Sequence, residues 1–368
     1  MNFILLGLGL AVPEDYFTQE EAVLGAAQLG QPNDVEPERV KLLYQRAGVQ
    51  KRHTVLGRAF IEDLLAGTRT SLSAFLPGPL DGPTTGQRMA AFAEHAWPPA
   101  LSAARRALQH GNVDPKTVTH LVTVSCTGFA APGVERKLIE KLGLPATTER
   151  IHVGFMGCHA AVNGLRVVAG LAAANPDAVV LMVAVELCTL HHCYRPTLER
   201  VVANTLFADG AAAVVGRAGT DGWRVAGTAS ILIPETDGEM SWTIGDHGFT
   251  MTLSRHVSEA IRTHLKPWLT TWLAKHDLTP EQVGQWAVHP GGPKILDAVA
   301  EAMSLPPDAL DASRYILQNY GNMSSPTVLF TWDRLRKTTS DAPCVMLAFG
   351  PGLTAEAALL MPPNSSAP

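Results

Sequence analysis

The sequence is poor in charge and has no excess of basic residues. Only 17% of the 368 residues are charged, and 29 Lys and Arg stand against 34 Asp and Glu, so the formal net charge is −5. A general nucleic-acid-binding protein needs a basic surface to replace the counterions of the phosphates, so this class is disfavoured. Hydrophobic residues make up 46% of the chain, which excludes an intrinsically disordered protein.

Long apolar runs are also missing. No uninterrupted run in the sequence approaches the roughly 20 residues that a membrane-spanning helix needs. The apolar stretch at 3–10 has no basic segment before it, and Pro13 and Glu14 follow it closely. We therefore predict a first β-strand there rather than a signal peptide. These observations predict a cytoplasmic protein without a membrane span.

Cysteine is scarce, and the odd number of five does not suit a disulfide framework in a chain of this length. In a cytoplasmic protein such cysteines are buried thiols or take part in thiol chemistry. The five are Cys126, Cys158, Cys188, Cys193 and Cys344.

Several catalytic signatures are absent, namely the P-loop, GxSxG and HExxH. Gly7 and Gly9 form a GxG pair, but the third glycine of a dinucleotide-binding fingerprint is missing, so a Rossmann site is disfavoured. The segment CTLHHC at 188–193 has the composition of a metal site. Because it directly follows a strand, its side chains point to opposite faces, and we expect pocket lining and buried thiols rather than zinc.

Predicted strands alternate with predicted helices along the chain. The helix at about 158–174 is apolar nearly all round, which is typical of a buried helix. Strands that are apolar on both faces belong to covered sheets, so the pattern predicts a layered α/β fold. The predicted buried strands of the first half are at 120–126, 178–187 and 211–218.

The same alternation begins again near Trp223. The chain also exceeds the roughly 250–300 residues at which a single core stops growing. We therefore predict two similar halves, 1–219 and 220–368, with a disordered tail from about residue 362.

Three residues in turns at the ends of predicted elements carry candidate chemistry. Cys158 lies between a strand with a glycine-flanked turn and the start of the buried helix, where the helix dipole is expected to stabilise a thiolate. His289 ends a strand before a Pro-Gly-Gly turn, and Asn322 lies in a loop before another helix. Each residue alone has an ordinary structural explanation. Together they are the nucleophile, its partner and an oxyanion donor of thiolate acyl chemistry.

Longer motifs around these residues resemble the type III polyketide synthases, the chalcone-synthase-like family of the thiolase superfamily. The resemblance runs from about residue 3 to 361. It implies a thiolase-like layered αβαβα sandwich and a homodimer. The motifs that carry it are PTTGQRM, the window around Cys158, LFADGAAAVV, VHPGGPKIL, YGNMSSPTVLF and FGPGLTAE.

The resemblance implies a decarboxylative condensing enzyme that uses acyl-CoA and malonyl-CoA as substrates and needs no cofactor or metal. An acyl group is loaded onto Cys158, whose thiolate pairs with protonated His289. His289 and Asn322 then hydrogen-bond the thioester oxygen of the malonyl group as CO2 leaves.

Further site residues follow from the resemblance. Phe207 matches a gatekeeper phenylalanine, Met251 stands where plant enzymes have a second one, and Cys126 replaces a threonine. Ala131 stands where plant enzymes have a methionine that reaches into the partner subunit. Cys188, His191 and Ser324 complete the predicted pocket, and the predicted CoA-phosphate ligands in the basic segment 39–58 are Arg46, Lys51 and Arg52.

A less aromatic and more flexible pocket favours a medium or long fatty acyl starter, with alkylpyrone or alkylresorcinol products. A malonyl-primed synthase of a naphthalene-type product is the alternative within the family. An acyl-CoA thioesterase with the same Cys and His is the alternative from another class.

Overall fold

The computed structural model describes residues 2–29, 36–71, 73–78, 82–194, 196–338 and 342–363. Most of the predicted tail, at 364–368, lies outside the described residues. Pro362, inside the predicted tail, is buried, and its carbonyl accepts a hydrogen bond from Arg224 at 3.0 Å. Within the described ranges, no helix is long and apolar enough to cross a membrane.

The first half of the chain alternates strands and helices much as predicted. Pro98 and Pro99 occupy the first turn of a helix that begins at Trp97, where no amide donor is needed. The elements are β1 (Asn2–Ala11), β2 (Tyr16–Thr18), α1 (Gln19–Gln28), α2 (Pro37–Arg46), β3 (Lys51–His53), α3 (Arg58–Ala66), α4 (Thr85–His95), α5 (Trp97–His110), β4 (His120–Ser125), α6 (Val134–Leu142), β5 (Glu149–Gly154), α7 (Ala160–Ala174), β6 (Val179–Leu187), α8 (Leu198–Leu206) and β7 (Asp209–Gly219).

The second half adds a hairpin and a helix that the sequence analysis did not predict. These are the hairpin of strands Met240–Gly245 and Gly248–Leu253, and the helix Asp311–Tyr320. The elements are β8 (Arg224–Leu232), β9 (Met240–Gly245), β10 (Gly248–Leu253), α9 (Val257–Ala274), β11 (Gln285–Val288), α10 (Pro293–Met303), α11 (Asp311–Tyr320), α12 (Thr327–Thr338), β12 (Cys344–Gly350) and β13 (Thr354–Met361).

Nine of the described strands form one sheet in the order β11-β12-β13-β8-β1-β7-β6-β4-β5. The two halves meet at the antiparallel pair of β1 and β8. Outward from this junction, each half repeats the same arrangement: two antiparallel pairings and then a parallel one. This repetition is the pattern expected of two similar halves.

Helices α7 and α12 form the central layer of the molecule. α7 contacts β4 and β6 of the first half and β12 and β13 of the second, and α12 contacts β7, β11 and β12. On the outer faces, α5 packs on β1 and β7, while α9 and α10 pack together over the second half. The five layers are α5, the strands of the first half, α7 with α12, the strands of the second half, and α9 with α10. This is the arrangement of a thiolase-like fold.

Candidate active site

Cys158 lies in the turn between β5 and the central helix α7. It belongs to a single 3₁₀ turn, Gly157–His159, which leads directly into α7. Gly157 has φ +66°, and a Cβ on it would lie only 2.5 Å from Pro351 Cδ. Glycine therefore permits both the turn and its contact with the chain that follows β12. Cys158 itself is 8% exposed.

His289 directly follows β11. β11 runs parallel to β12, with Val288 opposite Leu347, and β12 contacts the Cys158 turn. The amide of His289 donates to the Leu347 carbonyl at 2.8 Å. Its side chain is buried, and neither ring nitrogen has a partner among the described residues. Burial, together with the nearby His159, lowers the pKa of His289 to about 3.

Asn322 lies in the loop between α11 and α12, and its side-chain orientation is fixed. Its Oδ1 accepts a hydrogen bond from the Ser324 amide at 2.7 Å, which leaves the amide NH2 as the free donor. The side chains of Asn322 and Ser324 both lie close enough to the Cys158 thiol to lower its pKa. The structure thus brings together the predicted nucleophile and the predicted neutral oxyanion donor.

Burial changes the expected ionisation of the nucleophile. It raises the pKa of Cys158 to about 11, and the buried Glu186 carboxyl adds to the rise, while the hydrogen bonds from Ser324 and Asn322 oppose it. Burial lowers the pKa of His289 as well, so at both residues burial opposes the expected thiolate with a protonated His289. The ion pair between them stays a prediction.

Glu186 is a buried site residue that the sequence analysis missed. It is fully buried on β6, and burial raises its pKa. Its carboxyl group accepts hydrogen bonds from the Cys126 amide at 3.0 Å, the Thr127 hydroxyl at 2.7 Å and the Ser325 hydroxyl at 2.7 Å. It therefore ties the end of β4 to the Asn322 loop. The available signal was one acidic residue inside the apolar run AVVLMVAVEL.

The predicted pocket residues line two adjoining cavities. Cys158 opens into the first, of about 30 Å³, and the second, of about 50 Å³, reaches His191. Cys188, Phe207, Met251 and Trp242 border both. Cys126 and Ser324 also line the first cavity, with Cys126 Sγ 3.6 Å from Ser324 Oγ. A cavity of about 30 Å³ is small for an extended acyl chain.

The segment CTLHHC forms a 3₁₀ turn and a wall of the second cavity. His191 Nε2 donates to the Thr127 carbonyl at 2.6 Å, and its Nδ1 accepts from the Phe249 amide at 3.0 Å. The ring stacks on Phe249 at 4.2 Å, and burial lowers the pKa of His191 to about 3. Over the described ranges, no group of three or more His, Cys, Asp or Glu is arranged to hold a metal ion.

The three predicted CoA ligands lie in different environments. Arg46 is exposed at the end of α2, and the adjoining Gly48 packs against Pro293, close to the turn after His289. The half-buried Lys51 lies with its ammonium 5.1 Å from the Tyr16 ring centre. Arg52 is only 1% exposed, so its prediction as a phosphate ligand is wrong. Side chains alternate along β3, and Arg52 is on the inner face.

Comparison with known proteins gives matches over nearly the whole chain. Residues 2–221 match the N-terminal domain, and residues 225–362 the C-terminal domain, of the chalcone and stilbene synthases. The 1,3,6,8-tetrahydroxynaphthalene synthase of Streptomyces peucetius is 35% identical, over 95% of this chain and 90% of the relative. The alpha-pyrone synthesis polyketide synthase-like Pks18 of Mycobacterium tuberculosis is 29% identical, over 97% and 90%.

The fold agrees with these matches. The crystal structure of PKS-I from the brown alga Ectocarpus siliculosus superposes with a TM-score of 0.89 at 28% identity, covering 98% of both chains. The C-terminal type III polyketide synthase domain of Steely1 from Dictyostelium gives a TM-score of 0.87 at 26% identity, covering 98% of this chain and 99% of that domain. The chain therefore belongs to the chalcone and stilbene synthase family and is a type III polyketide synthase, a condensing acyltransferase.

Proposed function

We propose that Cys158 is loaded from an acyl-CoA and that the acyl group is extended by decarboxylative Claisen condensation with malonyl-CoA. The observation that carries this proposal is the orientation of Asn322. The Ser324 amide holds its oxygen, which leaves its NH2 group as the donor, and the same side chain lowers the pKa of the neighbouring Cys158 thiol. A neutral donor fixed beside the nucleophile suits an oxyanion that forms next to the bound acyl group.

In the loading step, the Cys158 sulfur attacks the thioester carbonyl of the acyl-CoA, and the C–S bond to CoA breaks. The thiol proton passes to His289, whose neutral ring can accept it, and then to the departing CoA thiolate. This route needs no thiolate in the resting enzyme. It is therefore compatible with the raised pKa of Cys158.

In the extension step, the C–C bond to the malonyl carboxylate breaks, CO2 leaves, and the electron pair forms an enolate on the thioester. The Asn322 NH2 and one N–H of His289 donate to the enolate oxygen. The enolate carbon then attacks the acyl carbonyl, and the Cys158 sulfur leaves. Each preorganised donor of this kind is typically worth about 3–4 kcal/mol of barrier.

The test uses Asn322→Ala and radiolabelled malonyl-CoA. We expect acyl loading on Cys158, measured by intact-protein mass, to persist and CO2 release to fall by about 10²-fold or more. Asn319→Ala is the matched control, because among the described residues its side chain bonds only the Tyr315 carbonyl of its own helix. Hydrolysis of acyl-CoA without any CO2 release from malonyl-CoA would show a thioesterase instead.

For the starter, we propose a medium or long fatty acyl group, giving an alkylpyrone or alkylresorcinol. The two adjoining cavities support this, because the flexible Met251 lies on their shared border and can open one into the other. The printed name of the Mycobacterium relative, an alpha-pyrone synthesis enzyme, agrees. The 35% identical tetrahydroxynaphthalene synthase and the small cavity at Cys158 favour the second candidate, malonyl priming. Mass spectra of products from a panel of acyl-CoA starters distinguish the two.

We further propose that Arg46 binds a CoA phosphate and that the protein is a homodimer. Arg46 is exposed near the turn after His289, which suits a phosphate outside the buried site.

The dimer is supported by the free edge of the sheet. Among the described strands, β5 pairs only with β4, and Ile151 and its apolar neighbours Phe129, Phe155 and Met156 are between 38% and 67% exposed.

A further inference from the structure

Arg52 is a fully buried cation that binds main-chain oxygens near the site. Only 1% of it is exposed. Its Nη1 donates to the Asn204 carbonyl at 2.6 Å and to the Phe207 carbonyl at 3.1 Å. The guanidinium thus holds the end of α8 and the residue that borders both cavities.

The segment held by Arg52 is the one on which Asn322 rests. The Asn322 amide donates to the Leu206 carbonyl at 2.8 Å, and the Asn322 carbonyl accepts from the Ala208 amide at 2.9 Å. These two bonds flank Phe207, which lies opposite Asn322 in a parallel bridge. The backbone of Asn322 is therefore located by the same short segment that Arg52 fastens.

Arg52 also contacts the Asn322 loop directly. Gly321 has φ +72°, and a Cβ on it would lie 2.8 Å from Arg52 Cγ and 2.9 Å from the Leu206 carbonyl oxygen. The aliphatic part of Arg52 therefore packs against the residue that precedes Asn322. Arg52 therefore contacts Phe207, one partner of the bridge, and the residue that precedes the other partner.

The burial of the Arg52 guanidinium lowers the stability of the fold. The Nε and Nη2 atoms of Arg52 have no partner among the described residues. The carboxyl group of Asp209, which raises the pKa of Arg52, accepts hydrogen bonds from Thr189 and the Val55 amide instead. A buried charge with unpaired donors destabilises a fold relative to an apolar side chain of the same shape. Stability alone therefore does not account for an arginine at this position.

We propose that Arg52 is a positioning residue. It fixes the Phe207–Asn322 bridge and so holds the side-chain NH2 of Asn322 where that group can donate to the malonyl enolate. The inference rests on the role proposed above for Asn322. Arg52 acts on the extension step and not on the loading of Cys158.

The test compares Arg52→Met with wild type in malonyl-CoA decarboxylation and in acyl loading. Methionine keeps most of the packing on Gly321 and removes the donors. We expect kcat for CO2 release to fall roughly ten- to a hundredfold, because small misplacements of a positioned group cost this much. KM for malonyl-CoA is expected to stay within about twofold, and loading to stay at the wild-type level, because only the step that uses Asn322 is impaired.

A double-mutant cycle separates positioning from a general loss of structure. If Arg52 acts through Asn322, Arg52→Met adds little further loss in an Asn322→Ala background. Arg52→Lys keeps a donor and is expected to recover part of kcat. Arg224→Met is the control. It removes a buried arginine at the start of β8 that bonds the Pro362 carbonyl, and it is expected to leave CO2 release unchanged.

Equal losses of loading and CO2 release, or additive losses in the double mutant, would overturn the inference. If Arg52→Met gives no folded protein, wild-type kcat in Arg52→Lys overturns it. Failure of the proposed function looks different. In that case wild type releases no CO2, or Asn322→Ala releases it normally, whatever residue stands at position 52.

Discussion

Two effects of opposite sign act on the Cys158 thiol. The start of α7 and the hydrogen bonds from Asn322 and Ser324 favour the thiolate, whereas burial and the Glu186 carboxyl disfavour it. Burial has the larger effect. It is larger still at the other deeply buried thiols, because it raises the pKa of Cys344 to about 12 and those of Cys126 and Cys188 well above the usual range.

A pH series of iodoacetamide labelling measures this balance. With the pKa of Cys158 near 11, the thiolate is a minor species at pH 7, and its fraction grows about tenfold for each pH unit. We expect the labelling rate of Cys158, followed by peptide mass spectrometry, to rise about tenfold per unit between pH 7 and 9. Cys126, Cys188 and Cys344 should react later. A rate that is already constant above pH 7 would show an ion pair with His289 instead.

The starter preference can be tested at Met251. An unbranched chain needs a continuous apolar groove, and each buried CH2 contributes about 0.8 kcal/mol. Met251→Phe places a rigid ring on the border of the two cavities. We expect kcat/KM to fall most for long acyl-CoAs and so to shift toward hexanoyl-like starters. An equal fall for all lengths, or a wild type primed by malonyl-CoA alone, would contradict the fatty acyl proposal.

At the residue scale, sequence patterns located the turns but not the burial of individual side chains. Cys158, His289 and Asn322 were predicted because strand ends and glycine-rich turns are visible in the sequence. The protonation state of Cys158 and the inward direction of Arg52 depend on which elements pack above them. That information comes from contacts distant in sequence, such as the one between Arg52 and Asn204.

Among the elements, the pair Gly7 and Gly9 in β1 shows what its GxG pattern is for. A Cβ on Gly7 would lie 2.0 Å from the Ala107 carbonyl oxygen, and one on Gly9 would lie 2.1 Å from that of Ala103. Both clashes are with the backbone of α5, which cannot move aside as a side chain can. The glycines therefore allow α5 to lie directly on β1, and they serve packing rather than nucleotide binding.

Gly9→Ala is expected to destabilise the protein by about 1–3 kcal/mol or more, because the added methyl overpacks the β1–α5 contact. Gly170→Ala is the matched control. Gly170 is exposed within α7, and a Cβ there meets nothing within 4 Å, so a gain of about 0.5–1 kcal/mol is expected. Urea unfolding measures both. Equal stability of Gly9→Ala and wild type would show that α5 can move away from β1.

The elements that were not predicted from the sequence are those without a continuous apolar face. The strands and helices with continuous apolar faces, such as β4, β6 and α7, were predicted close to their observed bounds. The hairpin of β9 and β10 is half-exposed and has no such face, although it carries Met251 and Trp242. The residues of the hairpin follow the contacts that they make with the site. Hydrophobic periodicity in the sequence therefore does not predict these two strands.

For the whole molecule, the repeated strand order places the three catalytic candidates at the seam between the halves. Cys158 comes from the first half, and His289 and Asn322 come from the second. The bridge between Phe207 and Asn322 also joins the two halves. Neither half contains the complete site, so assembly of the site depends on how α7 and α12 pack between them.

The dimer proposal concerns the free edge of β5, the strand that leads into the Cys158 turn. An unprotected edge strand with exposed apolar side chains is a site for pairing with another chain. We expect wild type to show about twice the monomer mass of 39.3 kDa by light scattering. Ile151→Lys adds a charge to the edge and is expected to give monomers, because a charge buried between subunits without a partner is costly. Leu24→Lys, at an exposed leucine of α1, should remain dimeric. A monomeric wild type, or an Ile151→Lys variant that stays dimeric, would show that β5 is not the interface.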